Sequence, residues 1–258
     1  MIITTGEAEA AHLVSRAQCI AAETGCRYVP RSGRSLARLA ASSGDEDILI
    51  LLEGHVRLGG PGKEMLEFHP SMGFVRLKRV MRGEADLMLQ AARMEEGDSV
   101  LDCTAGLGTD ALVFSFKAGL SGHVTALESS HPLYVLLKEG LKTYTSHLAR
   151  SDEAMRRIEV KHSGHLEYLQ SLPDKSVDIV YFDPMFRDPL TDSASINPLR
   201  HYANGSALDQ LSVQEAVRVA RKSVVMKEKR NSPEFERLGF EAMARGNSKI
   251  TYGVIYID

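Results

Sequence analysis

The stretch Val100-Leu-Asp-Cys-Thr-Ala-Gly-Leu-Gly-Thr-Asp-Ala111 decides the fold, because an apolar run passes through an acidic residue into a glycine turn. Apolar residues that end in paired glycines predict a strand followed by a tight turn. Gly106 and Gly108 let the backbone turn sharply and approach a ligand without an intervening Cβ. The first turn of the helix that follows presents unpaired N–H groups. The stretch therefore predicts a strand, a ligand-binding loop and a helix.

Strand and helix patterns alternate along the rest of the chain, which predicts an α/β fold with a parallel sheet covered on both faces. Ligands bind such sheets beyond the carboxyl ends of the strands, so functional residues are expected there. The predicted strands are Ser99–Cys103, Gly122–Leu127, Ile158–His162, Val177–Phe182, Ser223–Lys227 and Ile250–Ile257. The predicted helices are Gly83–Met94, Gly108–Gly119, Pro132–Ala149, Leu166–Gln170 and Ser206–Ala220.

The N-terminal part is predicted to form a small α/β unit over residues 1–64, ahead of a main domain over residues 65–258. Apolar residues at helical spacing predict a first helix that Gly25 ends. A second helix is predicted near Ser35–Ala41, and two strands at Asp47–Glu53 and His55–Leu58. No catalytic constellation is apparent in this unit.

Composition excludes several classes of protein. The 258 residues are 43% hydrophobic and 25% charged, with a net charge of −3, as in ordinary globular proteins. The longest strongly apolar run, Ile48–Leu52, is far too short to cross a bilayer. The N-terminus lacks the pattern of a signal peptide, so we predict a cytoplasmic protein without a membrane partner. Three cysteines and nine scattered histidines predict neither a disulfide framework nor a metal site.

The glycine loop is compatible with two cofactors. Glu128 follows about twenty residues later, at the end of the second predicted strand, where an acid can accept both hydroxyls of a ribose. Gly106-x-Gly108-x-x-Ala111 also fits the relaxed dinucleotide fingerprint, so a nicotinamide-dependent oxidoreductase is an alternative. Asp102 favours a ligand that carries an ammonium and a sulfonium, because its carboxylate would repel a pyrophosphate. The Asp-x-x-x-Gly-x-Gly spacing resembles the first motif of class I S-adenosylmethionine (SAM) methyltransferases.

A second motif, Asp183-Pro-Met-Phe186, follows the apolar strand predicted at Val177–Phe182. Pro184 fixes φ and stiffens the loop where it leaves the sheet. Asp183 and the Pro184 carbonyl can both accept hydrogen bonds, and Phe186 offers a ring face. The loop resembles the (Asp/Asn)-Pro-Pro-(Tyr/Phe) motif of amino methyltransferases, with Met185 in place of the second proline. A plain strand-ending turn is the alternative.

The chemistry of amino methylation needs such an arrangement, because the lone pair of an exocyclic amino group is delocalised into its ring. Two acceptors that hold the N–H bonds favour a lone pair directed at the methyl group, and a stacked ring keeps the base in line. A carboxylate offsets the positive charge that develops on nitrogen. We therefore predict Asp183, Pro184 and Phe186 as the catalytic residues.

With both loops considered, residues 65–258 resemble the RsmJ-like methyltransferases, which modify a guanine N2 of small-subunit ribosomal RNA. The likeness is specific in Asp102-Cys-Thr-Ala-Gly-Leu-Gly-Thr-Asp-Ala-Leu112 and Ile179-Val-Tyr-Phe-Asp-Pro-Met-Phe-Arg187. Looser matches are Phe68-His-Pro-Ser, Arg82-Gly-Glu-Ala85 and Val224-Val-Met-Lys227.

The resemblance implies a seven-stranded Rossmann-like sheet with an antiparallel last strand, SAM as cofactor and structured ribosomal RNA as partner. The cofactor contacts that it implies are Thr109 and Asp110, Glu128 and Ser129, Gly164 and His165, and Asp183, beside Asp102, Gly106 and Gly108 of the first motif. Thr109 replaces an arginine, Gly164-His165 replaces a serine pair, and Arg187-Asp188 replaces the residues that follow the family's second motif.

The sequence leaves the roles of two basic clusters and one long loop open, and it also leaves alternative functions open. The basic clusters Arg76/Lys78/Arg79/Arg82 and Lys227/Lys229/Arg230 are either phosphate contacts or solvated faces. The stretch Arg187–Gly205 is either a lid or a surface excursion. A methyltransferase of small molecules or proteins, which the slightly acidic balance favours, is the first alternative function. A non-enzymatic cofactor-binding partner is another.

Overall fold

The structure is a computed structural model that describes residues 1–185, 197–243 and 248–258. Its strands are β1 (Ile2–Thr5), β2 (Arg27–Tyr28), β3 (Ile48–Leu52), β4 (His55–Gly60), β5 (Lys63–Glu67), β6 (Ser99–Asp102), β7 (His123–Glu128), β8 (Glu159–His162), β9 (Val177–Phe182), β10 (Ala220–Lys229), β11 (Glu241–Ala242) and β12 (Ile250–Tyr256). Its helices are α1 (Ala11–Thr24), α2 (Leu36–Ser43), α3 (Ser71–Met81), α4 (Leu87–Ala91), α5 (Thr109–Ala118), α6 (His131–Thr143), α7 (Ala149–Arg157), α8 (His165–Ser171), α9 (Asn197–Arg200), α10 (Gln210–Val219) and α11 (Glu234–Leu238).

The larger sheet has seven strands in the order β11-β12-β10-β9-β6-β7-β8. Strands β8, β7, β6, β9 and β10 are parallel, and β12 runs antiparallel to β10. The predicted Rossmann-like methyltransferase sheet is confirmed, including its antiparallel last strand. The carboxyl ends of five parallel strands therefore meet at one edge.

The smaller sheet has five strands in the order β2-β1-β3-β4-β5. It confirms the predicted N-terminal α/β unit. Strand β1 is parallel to both of its neighbours, whereas β4 is antiparallel to β3 and to β5. Strand β5 ends at Glu67, so this sheet extends beyond the boundary predicted after residue 64. The division into two domains stays a prediction.

The two sheets are packed through α6, which shares one continuous apolar core with β4 and with one face of the larger sheet. Gly140 of α6 makes this close approach feasible: a Cβ there would lie 2.0 Å from the ring of Phe68. The opposite face of the larger sheet is covered by α8, α10 and α11 in a second core. The larger sheet is thus buried on both faces, as its apolar strands predict.

Three predicted helices are wrong in their extent. The helix predicted over Ser206–Ala220 begins only at Gln210, where the side chain of Asp209 caps α10. The helix predicted over Pro132–Ala149 is two helices, because α6 ends at Thr143 and α7 begins at Ala149. The guanidinium of Arg156, on α7, donates to the carbonyl oxygens of Leu141 and Tyr144, which satisfies the end of α6. The helix predicted over Gly83–Met94 is the five-residue α4, which the side chain of Asp86 caps through the N–H groups of Met88 and Leu89.

Among the described residues, no helix has the length and apolar character needed to span a bilayer. The same residues contain no group of three or more His, Cys, Asp or Glu side chains that could hold a metal ion.

Candidate active site

Three acidic residues lie together where β6, β7 and β9 end. Asp102 is in register with Ala126 on β7 and with Tyr181 on β9. Glu128 and Asp183 each lie two residues further along those strands. Because side chains in register, or two residues apart, share one face of a sheet, all three carboxylates are directed to the same side. This is the face that α5 and α6 cover.

The glycine loop is joined to the end of β7 through Glu128. The Gly106 N–H donates to Glu128 Oε2 at 3.1 Å, and the Ser130 N–H donates to Oε1 at 2.8 Å. Burial raises the pKa of Glu128, and these N–H groups oppose that shift by stabilising the carboxylate. Gly106 has φ +53°, and beyond its two chain neighbours no residue has an atom within 4 Å of where its Cβ would be. The loop therefore presents open space beside an acidic strand end.

Asp102 lies at the same edge of the sheet and is more deeply buried than Glu128. Its Oδ1 accepts a hydrogen bond from the Thr104 N–H at 3.1 Å, and the residue is 1% exposed. Burial raises the pKa of Asp102 well above its usual range, and the nearby charges of Asp110 and Asp183 raise it further. A bound cation would favour the ionised form of this carboxylate. Asp102 therefore suits a ligand that brings a positive charge.

The Asp183 loop is attached directly to the glycine loop. The Asp183 N–H donates to Thr104 Oγ1 at 2.6 Å. Two residues earlier, the Tyr181 carbonyl accepts a hydrogen bond from the Cys103 N–H at 2.9 Å. Asp183 and Pro184 are half-buried where the chain leaves the carboxyl end of β9. Phe186 lies outside the described residues, so its stacking role stays a prediction.

A network of buried charges lies beneath these loops. Asp110, in the first turn of α5, accepts hydrogen bonds from Tyr181 Oη at 2.8 Å and Lys227 Nζ at 3.0 Å through Oδ2, and from Arg76 through Oδ1. Lys227 Nζ also donates to Asp183 Oδ2 at 2.7 Å. The network joins the helix behind the glycine loop to the Asp183 loop.

The network favours the charged forms of Asp110 and Lys227. Burial opposes ionisation of Asp110, but Lys227, Arg76 and the Tyr181 hydroxyl hold the pKa of its carboxyl well below the usual range. Burial likewise opposes the charge on Lys227, but Asp110 and Asp183 raise the pKa of its ammonium. The cations are thus retained by the carboxylates that they neutralise.

Two cations of this network come from the basic clusters of the sequence. Arg76 and Lys227 were candidates for phosphate contacts, but their side chains are only 17% and 18% exposed and are engaged in ion pairs. Asp110 was predicted to contact the cofactor. Protein side chains donate to both of its oxygens, so Asp110 supports the loop from beneath. Its predicted cofactor contact stays a prediction.

Of the remaining candidates, Thr109 is the first residue of α5 and lies close to Gly73 of α3. A Cβ added to Gly73 would lie 2.3 Å from the Thr109 carbonyl oxygen, so the two helices are in close contact there. Gly108 precedes it with φ +70°, a conformation that favours glycine. Gly164 is the N-cap of α8, and the space where its Cβ would lie is open. The predicted cofactor roles of these residues stay predictions.

Ser129 and His165 lie on different sides of the sheet. The Ser129 carbonyl lies 3.2 Å from His162 Nε2, and the His162 ring contacts those of His131 and Tyr134, with centroids 5.0 and 5.2 Å apart. His165 packs edge-on against Phe182, on the face opposite Asp102, and burial lowers its pKa. The geometry brings Ser129 near Glu128 and keeps His165 apart from the three carboxylates.

The stretch Arg187–Gly205 begins outside the described residues, and its described end packs against the smaller sheet. The ring of Tyr202 is buried, with Lys63 Nζ 5.3 Å from its centroid. This contact holds the Tyr202 ring against the body of the protein rather than over the carboxylates.

Known proteins resemble this chain over most of its length. The profile of a family described as "Putative SAM-dependent methyltransferase" matches residues 58–249. The YpiP protein of Bacillus subtilis (strain 168) is 40% identical over 98% of both chains. Ribosomal RNA small subunit methyltransferase J of Marinobacter nauticus is 31% identical over 82% of this chain and 78% of its own.

A crystal structure of a SAM-dependent methyltransferase from Neisseria gonorrhoeae has the same fold, with a TM-score of 0.66 and 21% identity. The match covers 99% of this chain and 96% of that one, so it includes both sheets. Of the two cofactors left open by the glycine loop, the family match decides against a nicotinamide. The chain belongs to the SAM-dependent methyltransferase family, and S-adenosylmethionine is its cofactor.

Proposed function

We propose that the protein transfers the methyl group of SAM to an exocyclic amino nitrogen, the N2 of a guanine in small-subunit ribosomal RNA. One observation carries this proposal: the Asp183 loop is hydrogen-bonded to the glycine loop through Thr104. An acceptor held by Asp183 would therefore meet a cofactor held beside Gly106. The Marinobacter relative, named as a ribosomal RNA methyltransferase, supports RNA as the substrate.

The residues at this edge fit the cofactor. Asp102 would hold its amino group, Glu128 would accept hydrogen bonds from its ribose, and the space beside Gly106 would admit it. SAM supplies an electrophilic methyl carbon bound to a sulfonium. These side chains would fix where that carbon lies relative to Asp183.

The Asp183 loop would orient the acceptor. Asp183 and the Pro184 carbonyl would accept hydrogen bonds from the two N–H bonds of the amino group and direct its lone pair at the methyl carbon. The carboxylate would also offset the positive charge that develops on nitrogen. A guanine in structured RNA must leave its stack to reach this position, and Phe186 would then support its ring.

Glu128 provides a test of the cofactor site. Replacing Glu128 by alanine removes the carboxylate that holds Gly106 and the predicted ribose acceptor. Because a hydrogen bond to a charged group contributes about 1.5–3 kcal/mol, affinity for S-adenosylhomocysteine should fall by roughly 10- to 100-fold in titration calorimetry. Glu159→Ala, at the amino end of β8, should bind like the wild type. Unchanged affinity in Glu128→Ala would refute the assignment.

The exposed cations of α3 provide a test of RNA contact. Lys78, Arg79 and Arg82 are exposed on the helix that packs against the start of α5. If Lys78 and Arg82 neutralise phosphates, Lys78→Ala/Arg82→Ala should weaken RNA binding and reduce the slope of log affinity against log salt by about two. Lys117→Ala, at the far end of α5, is the matched control. Equal slopes for all three proteins would exclude this contact.

Labelled methyl transfer tests the function itself. The protein and methyl-labelled SAM are incubated with small ribosomal subunits, with stripped small-subunit RNA, and with a cell extract separated into RNA, protein and small molecules. The proposal predicts label in the RNA fraction as N2-methylguanosine on nucleoside mass spectrometry. Label confined to protein or small molecules would overturn it in favour of the alternative acceptor classes.

A further inference from the structure

Lys227 lies between the Asp183 loop and Asp110, the residue in the first turn of α5 behind the glycine loop. Met226 of β10 pairs with Phe182 of β9, so the next residues along these parallel strands, Lys227 and Asp183, are neighbours on the same face. Lys227 Nζ lies 2.7 Å from Asp183 Oδ2 and 3.0 Å from Asp110 Oδ2. A single ammonium thus bridges the two carboxylates.

The far end of this bridge is fixed. Asp110 is 5% exposed and is also held by Arg76 and by the Tyr181 hydroxyl. Because Asp110 is anchored on both oxygens, it gives Lys227 a rigid counter-ion, and Lys227 in turn restrains the Asp183 carboxylate by one oxygen. The backbone of Asp183 is held separately, by Thr104.

We propose that Lys227 is a positioning residue of the methyl-transfer site: it holds Asp183 by Oδ2, so that Oδ1 accepts from the acceptor amino group, and it keeps the carboxylate ionised. This inference rests on the proposed amino methyl transfer. In that step the acceptor nitrogen forms a bond to the methyl carbon as the carbon–sulfur bond breaks. Sulfur keeps that electron pair, and the nitrogen releases a proton to Asp183 and from there to water.

Lys227 is the stronger of the two cations that act on Asp183. The charged and titratable groups that act on Asp183 from the packed elements are Asp102, Asp110, Tyr181, Glu228, Arg76 and Lys227. Burial and the charge of Asp110 raise the pKa of Asp183, whereas Lys227, and more weakly Arg76, lower it. Loss of Lys227 would raise this pKa further, so the ionised, accepting form would be lost at a higher pH.

The pH profile of methyl transfer tests the proposal. In Lys227→Met, the acid limb of the kcat profile should move up by about one to three pH units, because an adjacent opposite charge shifts a carboxyl pKa by that amount. Affinity for S-adenosylhomocysteine should stay within about threefold, since Asp102 and Glu128 are untouched. Lys227→Arg keeps the charge and should restore the acid limb.

Lys222 supplies a matched control on the same strand. Its Nζ also bridges two carboxylates, Glu95 Oε2 at 2.8 Å and Asp98 Oδ1 at 2.7 Å, but at the amino end of β10. Lys222→Met should leave the acid limb in place. An acid limb that is identical in Lys227→Met, Lys227→Arg and the wild type would overturn the proposal.

A measurement without any acceptor separates this inference from the proposed function. The carboxyl carbon of Asp183 is titrated by NMR in the S-adenosylhomocysteine complex, in the wild type and in Lys227→Met. A higher pKa in the variant supports the inference even if the wild type methylates no RNA, which would overturn only the proposed substrate. An unchanged pKa overturns the inference whatever the acceptor is. Lys227→Met leaves the buried charge of Asp110 without one of its cations. If the variant fails to fold for that reason, the double variant Lys227→Met/Asp110→Asn, which lacks this charge, is compared with Asp110→Asn alone.

Discussion

Replacing Asp183 by asparagine is expected to reduce methyl transfer by about 100- to 1000-fold, the loss that follows removal of one group that stabilises developing charge. Asparagine keeps the size of the side chain and one oxygen acceptor, but it removes the negative charge that faces the acceptor nitrogen. Cofactor affinity should fall far less than the transfer rate, because asparagine keeps one oxygen acceptor and Asp102, Gly106 and Glu128, among the other predicted cofactor contacts, are unchanged. Single-turnover rates and S-adenosylhomocysteine calorimetry measure the two effects separately.

Asp174→Asn is the control for that experiment. Asp174 precedes the same strand at its amino end, is 77% exposed, and pairs with Arg218. It should retain the wild-type rate. If Asp183→Asn also transferred methyl groups at the wild-type rate, Asp183 would have no part in the chemistry and the amino-group mechanism would be wrong.

Replacing Arg76 by leucine is expected to lower the free energy of unfolding by about 3–5 kcal/mol, because it leaves two buried carboxylates without their shared cation. Arg76 donates to Asp86 at 2.7 and 2.8 Å and also to Asp110. These two partners are only 10% and 5% exposed. Since small domains are stable by about 5–15 kcal/mol, the loss is a large fraction of the total. Urea unfolding followed by circular dichroism measures it.

Arg79 provides the comparison on the same helix. It pairs with Glu84 at 2.8 Å, but the two side chains are 60% and 42% exposed. Exposed pairs contribute about 0–1 kcal/mol, so Arg79→Leu should unfold close to the wild type. Equal stabilities of Arg76→Leu and Arg79→Leu would show that the buried network does not support the fold.

The parts of the fold that were predicted correctly are those that local patterns specify. The apolar run before Asp102 and the paired glycines after it define β6, its loop and α5 within a dozen residues. Acidic residues that directly follow a strand, such as Glu128 and Asp183, are found by the same pattern. Their proximity then follows from the parallel sheet, in which the strand ends share an edge.

The parts that were missed depend on contacts between distant positions. Arg76 and Lys227 meet Asp110 across 34 and 117 residues of chain, and no local pattern distinguishes them from solvated cations. The break between α6 and α7 depends on Arg156, which reaches back to Leu141. The four-residue β1 is too short to show periodicity, although it lies inside its sheet between β2 and β3.

The most direct test of the account is the N2-methylguanosine content of small-subunit ribosomal RNA from a strain that lacks this gene. Nucleosides from purified RNA are quantified by mass spectrometry beside the parent strain and strains complemented with the wild-type or the Asp183→Ala gene. The account predicts a loss of N2-methylguanosine that the wild-type gene restores and the variant does not. Equal N2-methylguanosine in all four strains would contradict the account.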